Sequence, residues 1–370
     1  MKLAVIGASY LQLPLVKKAR SLGIQTHCFA WEDGAVCKEH ADFFYPISIL
    51  DKDLILEKCV EIGINGITTI ASDAAVPTMC YIAEQMDLIG NSYNSSLLAT
   101  NKYDMRKCFK EHDVPSPAFV FARQGVPMAS DMRFPLIVKP TDRSGSRGVT
   151  KVESQKQLEE SITRARKESF SNQAIVEEFI TGREISVESI SWKGTHYILA
   201  ITDKVTSGEP YFVELEHHQP ASGLTQEMRE KIIATTQKAL TALRIEYGAG
   251  HTEMKITSSG DVFLIEVGAR MGGDFIGSNL VELSTGYDFV KGVISVALGN
   301  FDAPLADRAK YSGVYFLTKL TERIQSVIVS KDSYAEIVEA EITDADLRDV
   351  KCSADRSGYF IYQADTKFIL

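Results

Sequence analysis

Over residues 1–90 short apolar runs alternate with amphipathic stretches, and that rhythm leaves few folds open. Leu3–Ile6 reads as a buried strand, Leu11–Leu22 as a helix opening near Pro14, Thr26–Ala30 as a second strand and Phe43–Ile47 as a third. Leu54–Ile62 predicts a helix, Gly66–Ile70 a strand and Ala74–Met86 another helix. Apolar strands separated by helices imply a parallel sheet wound on both faces. The first turn, Gly7-Ala-Ser9-Tyr-Leu-Gln, has one glycine after its strand but lacks the second and third of a dinucleotide fingerprint, which argues against NAD. Ser72-Asp73, at the end of the fourth strand, either faces a ligand or caps the following helix.

At 370 residues the chain is too long for one ordinary core, so two or three domains are expected. Hydrophobic residues make up 45% and charged residues 24%, as in soluble globular proteins. Forty basic against 49 acidic residues give a net charge of −9, which argues against a nucleic-acid or anionic-membrane partner and for small molecules. Six cysteines without a C-x-x-C pair read as buried reduced thiols. The start has no secretory apolar region and no stretch is long enough for a membrane span, so a cytoplasmic location is expected. The closely spaced prolines of Val114-Pro-Ser-Pro117 mark a boundary. The expected division is a doubly wound domain over 1–90, a polar helical connector over 91–115, a small subdomain over 116–190, a larger one over 191–300, and a strand-rich C-terminal appendage over 301–370. The appendage has candidate strands at Tyr311–Leu317, Ile324–Val329, Ile337–Ile342 and Gly358–Gln363.

Within the larger subdomain, His251 to Arg270 reads as a β-hairpin turning at Ser258–Asp261. Opposed residues in an antiparallel pair have a constant sum, so a turn near Ser259 or Gly260 sets Glu253 opposite Glu266 within about one residue. Two carboxylates about 5 Å apart repel unless a cation lies between them. Glu266 also interrupts an apolar run, where a bare carboxylate is costly. Two carboxylates with phosphate oxygens completing the shell suit Mg²⁺, with Mn²⁺ as an alternative. The plainer reading pairs Glu253 with Lys255 or a distant cation and leaves Glu266 at a sheet edge.

Three further segments point to a nucleotide. Pro135-Leu-Ile-Val-Lys139 ends an apolar strand in a lysine, and Ser144-Gly145-Ser146-Arg147-Gly148 follows as a loop whose backbone N–H groups can close on an anion. Ala174-Ile-Val-Glu177-Glu178-Phe179-Ile180, followed by Glu184, puts acids and apolar walls where a nucleoside needs them. Arg270 leads into Met271-Gly272-Gly273; in isolation it reads as a salt-bridge partner of the two carboxylates, and beside a bound metal-nucleotide it would hold a phosphoryl group or an anionic intermediate.

In this order, over roughly residues 1–300, these pieces resemble the ATP-grasp ligases, a fold mixing α/β and α+β domains. The texture of Val138-Lys-Pro…Ser144-Gly-Ser-Arg-Gly-Val149 with Glu266-Val-Gly-Ala-Arg270 is closest to the branch of carbamoyl-phosphate synthases, biotin carboxylases and L-amino-acid ligases. The resemblance implies that Lys102 and Lys139 contact ATP phosphates, that Ser144 to Gly148 close over them, and that Glu177 and the chain near Ile180 hold adenine. It further implies Glu184 on the ribose and Glu253 and Glu266 on Mg²⁺. Many relatives carry Asn where this chain has Gly268, so one metal ligand is lost or comes from water or another residue. Lys204 either approaches the nucleotide or is a solvated lysine on a turn after Tyr197–Ile201.

The implied reaction phosphorylates a substrate carboxylate and passes the acyl group to an amine, with Lys139 and Arg270 neutralising charge and no Ser, Cys or His nucleophile. Glu216 or His218, in a polar segment before the helix at Thr225, is a candidate partner for an amino-acid ammonium, and the same segment reads equally as a plain loop. Arg270 with the Gly272-Gly273 backbone is the candidate carboxylate grip. A bicarbonate-using carboxylase or carbamoyl-phosphate enzyme is the alternative, and a silent nucleotide-binding module is a third reading. Homodimerisation is implied by the resemblance alone.

Overall fold

A computed structural model describes residues 1–122, 132–305 and 307–370. The expected 116–190 unit therefore includes nine positions, 123–131, that lie outside the described residues.

Four short strands, β1 (Lys2–Ile6), β2 (Gln25–Phe29), β3 (Phe43–Tyr45) and β4 (Gly66–Thr68), form a parallel sheet of order β3-β2-β1-β4. Helix α1 (Leu13–Ser21) packs on the face carrying Leu3 and Val5, whereas α2 (Lys52–Ile62) and α3 (Val76–Gln85) cover Ala4 and Ile6. Alternate residues of one strand thus serve two cores, which is why the run reads apolar throughout. The strand order reverses between β1 and β4, and ligands of such sheets bind outside the carboxyl ends at that point. The loops Gly7–Ser9 and Ala71–Asp73 sit there. Two helices, α4 (Tyr93–Thr100) and α5 (Lys102–Glu111), lead out of this domain, capped by Ser92 and Asn101.

The small subdomain is an antiparallel sheet of order β5-β8-β6-β7, built from β5 (Phe119–Ala122), β6 (Leu136–Pro140), β7 (Thr150–Val152) and β8 (Ala174–Glu178). Helix α6 (Gln155–Glu168) packs Leu158 and Ala165 against Val138, Val152 and Val176.

An eight-stranded antiparallel sheet forms the rest. Its strands are β9 (Arg183–Trp192), β10 (Thr195–Thr206), β11 (Glu214–Gln219), β12 (Gly248–Ile256), β13 (Val262–Gly268), β14 (Tyr311–Leu317), β15 (Ile337–Ile342) and β16 (Gly358–Ala364). They run in the order β13-β12-β9-β10-β11-β14-β16-β15, so the strand-rich C-terminal stretch attaches by continuing the same sheet. Helix α7 (Gln226–Ala242) covers one face through Ile232, Ala239 and Leu240 against Ile185, Val187, Met254 and Leu264. The short α8 (Val281–Thr285) is followed by α9 (Phe289–Ala297), which places Val290, Val293 and Ile294 on the α1 side of the N-terminal core.

Three expectations need correction. Ile324–Val329, expected as a strand, is helix α10: Ile324, Val327 and Ile328 are buried at helical spacing while Val329 is exposed. Lys204 lies inside β10, not on a turn after it, and is buried. The segment before Thr225 contains strand β11 instead of a plain loop.

Candidate active site

Glu253 pairs with Glu266 across β12 and β13, and the partner sum shifts by one immediately afterwards, between Glu253 and Met254. Register then propagates one polar face across the sheet. His251 lies beside Glu188, Glu253 beside Ser186 and Lys255 beside Glu184, while Lys204 lies beside His217 and Phe316 beside Tyr359. Because the other face is the apolar core under α7, these charged side chains project toward the N-terminal and small subdomains.

Both metal-candidate glutamates are held by lysines. Lys102 Nζ is 2.7 Å from Glu266 Oε1 and donates to the Arg143 carbonyl at 2.8 Å. Lys204 Nζ is 2.5 Å from Glu253 Oε1, with Glu184 at 3.5 Å and Glu214 at 3.6 Å. Burial alone would drive both ammonium groups down and Glu253 up, but the opposite charges prevail: the lysines titrate above their usual range and Glu253 well below its own. The plainer reading of the hairpin is thus also realised, since Glu253 has a distant cation and Glu266 stands on the edge strand β13. The two readings are compatible, because an ammonium on each carboxylate marks where a cation is favoured. Among the described residues no group of three or more His, Cys, Asp or Glu is arranged to hold a metal ion. Glu253 and Glu266 supply two carboxylates, and Mg²⁺ beside a nucleotide is commonly held by one or two carboxylates with phosphate oxygens and water completing its shell.

Lys139 on β6 and Glu177 on β8 are diagonal neighbours, since Ile137 pairs with Glu177 and Lys139 with Ile175; both are buried, with Nζ 2.7 Å from Oε2. The other oxygen is 2.9 Å from Arg106 Nε, close but not aligned as a hydrogen bond. Burial would raise Glu177, yet Arg106 and Lys139 hold it below the usual carboxylate value. Burial dominates for Lys139 and lowers it. Glu177 thus anchors Lys139 and also lines the cavity beside it.

A cavity of about 190 Å³ brings together Lys102, Lys139, Ser144, Gly145, Ser146 and Arg270 with Glu184, Glu253 and Glu266. Glu177, Glu178, Phe179 and Ile180 also line it. Gly148 is near but does not line it: its φ is +73° and a Cβ there would lie 2.9 Å from Pro140 Cγ, so the glycine serves the turn. A second cavity of about 1090 Å³ shares Ser144, Glu253 and Arg270 and extends past Lys204, Glu214 and His217 to the N-terminal loop at Tyr10.

Glu216 and His218 do not line either cavity. They bond each other at 3.0 Å, and His218 is fully buried against the Tyr362 hydroxyl at 3.0 Å. Strand β11 carries a bulge: Lys204 faces His217 and Val205 faces Glu216, but Thr206 faces Glu214. Alternation sets His217 on the face opposite Glu216 and His218, and the extra residue Leu215 turns Glu214 to the His217 side, where both line the larger cavity. Gly272 is also corrected, because its N–H is taken by Glu188 Oε2 at 3.0 Å and a Cβ would lie 2.6 Å from Glu188 Oε1. Gly273 does line the larger cavity.

Of the two readings open for Asp73, the site-facing one holds: Arg270 Nη2 is 2.8 Å from Asp73 Oδ2, and the short helix there has no side-chain cap. Sequence reasoning missed several other features. A Cβ on Gly268 would lie 2.8 Å from Asp73 Oδ1, which means that Asp73 fills the space a side chain at 268 would need. Glu188 holds His251, whose other ring nitrogen is 3.4 Å from Glu253. Burial pushes His251 down, but Glu188 and Glu253 hold it up at about 9. Arg106 had a legible signal: with Lys102, Met105 and Phe109 it occupies the buried i, i+3, i+4, i+7 face of α5.

Residues 132–278 match the ATP-grasp domain family model. The alanine–anticapsin ligase of Bacillus subtilis (strain 168) is 27% identical over 311 residues, covering 73% of this chain and 64% of that protein. The carbamoyl phosphate synthase large chain of Caldanaerobacter subterraneus subsp. tengcongensis is 24% identical over 266 residues, covering 70% of this chain and 24% of its own length. The chain thus spans less than two thirds of these curated relatives. The crystal structure of an L-amino acid ligase from Bacillus licheniformis superimposes with a TM-score of 0.81 at 24% identity, covering 99% of this chain and 93% of that one. Residues 132–278 are thus matched as an ATP-grasp domain, and the chain as a whole shares the fold of the L-amino acid ligase structure on which it superimposes.

Proposed function

We propose that this protein is an ADP-forming carboxylate–amine ligase with an amino-acid substrate. The observation that carries the reading is the convergence on one cavity of Glu253, Glu266, Lys102, Lys139 and Arg270, opening into a second cavity large enough for two small substrates. Such a set binds a polyphosphate, and nothing in it is a covalent nucleophile. Lys139, fixed by Glu177, and Lys102 would neutralise the phosphates, while the Ser144–Ser146 loop closes over them. Phe179 and Ile180 would give the base an apolar wall, and Glu184, on the lining of the same cavity, would accept from ribose hydroxyls. Mg²⁺ on Glu253 and Glu266 would supply charge neutralisation between phosphate oxygens.

In this account a substrate carboxylate oxygen takes the γ-phosphoryl group as the β,γ P–O bond breaks. The amine nitrogen then bonds to the activated carbon as the C–O bond to phosphate breaks. The ammonium sheds two protons, one leaving with orthophosphate and one passing to solvent. Arg270, held by Asp73, stabilises the acyl phosphate, and closure excludes the water that would hydrolyse it. Six cysteines without a disulfide fit a reducing, cytoplasmic setting. Among the described residues no helix is long and apolar enough to cross a membrane.

The test is ADP release from Mg²⁺-ATP across the twenty L-amino acids, singly and in pairs, with bicarbonate in separate wells and Glu266→Gln as the background control. Turnover that needs two organic substrates and disappears in the variant supports the ligase. Turnover with bicarbonate alone moves the assignment to a carboxylase or carbamoyl-phosphate enzyme.

A further inference from the structure

The larger cavity contains a charged pair that the chemistry above leaves unused. Arg356, from the segment before β16, meets Asp274 with two parallel bonds of 2.9 and 2.7 Å. Both side chains are largely buried, at 8% and 24% exposure. Arg356 Nε donates to the Ser353 carbonyl at 2.9 Å, and the guanidinium lies 3.9 Å from the Phe316 ring centroid. Three of its five N–H donors are thus engaged, and each Asp274 oxygen has accepted one bond with a lone pair to spare. Asp274 and Phe275 both adopt positive φ, 50° and 66°, a conformation that non-glycine residues hold only where their surroundings impose it.

A second, independent feature lies on the same wall. His217 is 1% exposed, and neither ring nitrogen has a hydrogen-bond partner. Burial keeps its imidazole neutral, with one donor and one acceptor nitrogen. Two buried ring nitrogens without partners call for a polar group, and a ligand in the adjoining cavity, reached by a small shift of the ring, would supply one. Together the three side chains offer an acceptor for an ammonium, donors for a carboxylate, and no net charge.

We propose that Asp274, Arg356 and His217 form the acceptor subsite for a free α-amino acid bound as its zwitterion, the ammonium between Asp274 and His217 and the carboxylate on Arg356. This rests on the ligase reading and specifies which amine it uses. Neutrality is the discriminating argument. A zwitterion docks beside a buried Arg–Asp pair without adding net charge, whereas a simple amine or a simple carboxylate brings an uncompensated one.

The experiment uses the full chain with Mg²⁺-ATP and the amino-acid pair that turns over. Replacing the acceptor by its α-carboxamide is expected to raise KM about tenfold or more, with kcat changed far less. Arg356→Gln is expected to raise KM for the amino acid similarly while leaving KM for the carboxamide and for ATP unchanged, and Arg356→Lys to recover part of the loss. The carboxamide comparison is made on the wild-type chain and so does not depend on how a variant folds. A carboxamide as good as the amino acid, or a variant that affects both equally, overturns the subsite while leaving the ligase standing. ADP release with bicarbonate alone, or with no substrate combination, overturns both.

Discussion

Gly268→Ala is a one-carbon change aimed at the Asp73–Arg270 contact. The backbone at Gly268 is not in the left-handed region, so alanine brings no backbone strain there, and in a strand it is the better residue by about 0.5–1 kcal/mol. The new Cβ would, however, stand 2.8 Å from Asp73 Oδ1 and 3.0 Å from Arg270 Cζ, several tenths of an ångström inside normal contact. Asp73 reaches the site from the N-terminal sheet, 197 residues away in sequence, and Arg270 from the turn after β13, so the added carbon forces them apart. A charge-assisted hydrogen bond is worth about 1.5–3 kcal/mol, and displacing a positioned catalytic group by about 1 Å costs about a hundredfold in rate. We expect kcat to fall about 10- to 100-fold, with KM for ATP within about threefold of wild type and little change in thermal unfolding. Coupled ADP release with a parallel melting curve measures all three. A folded Gly268→Ala with wild-type kcat would show that the Asp73-held position of Arg270 is irrelevant to the chemistry.

Glu177→Gln leaves Lys139 and Arg106 buried without a counter-charge and should destabilise the small-subdomain interface by about 3–5 kcal/mol in denaturant unfolding; a loss below about 1 kcal/mol contradicts the anchoring role. Lys204→Met removes the cation shared by Glu184, Glu214 and Glu253, so the metal-free variant should melt lower and recover more on adding Mg²⁺ than wild type does; equal Mg²⁺ responses count against the site. His251 titrates at about 9 instead of 6.5, so its stabilising contribution in the metal-free protein is complete below about pH 6.5 and is lost as pH rises through 9. The amplitude is at most about 3 kcal/mol, and Glu188→Gln should reduce that pH dependence, with Glu253 sustaining the remainder.

The sequence made legible what local rules govern. Glu253 and Glu266 face each other because a short hairpin turn sets the partner sum, and the apolar strands of 1–90 reveal a sheet covered on both faces. Glu216 and His218 stand out in a segment that reads as a polar stretch before a helix; in strand β11 they face away from the cavities, while His217 faces the larger one and a bulge at Leu215 brings Glu214 to the same side. Ile324–Val329 was misread because a short run of β-branched residues has the same composition in strand and helix, and only the burial of Ile324, Val327 and Ile328 reveals the helical period. The Asp73–Arg270 and Asp274–Arg356 pairs join segments 197 and 82 residues apart, and no local pattern encodes such distances. Gly268 was visible as a departure, but its reason, the carboxylate of Asp73 in the same space, exists only in three dimensions.

The most direct test of an acyl-phosphate ligase follows the oxygen. The substrate carboxylate is labelled with ¹⁸O, the reaction is run with Mg²⁺-ATP and the amine partner, and the orthophosphate is analysed by mass spectrometry. The account predicts one ¹⁸O in orthophosphate for each amide formed, with ADP as the nucleotide product. Label in AMP, or orthophosphate free of label while the amide accumulates, would contradict it.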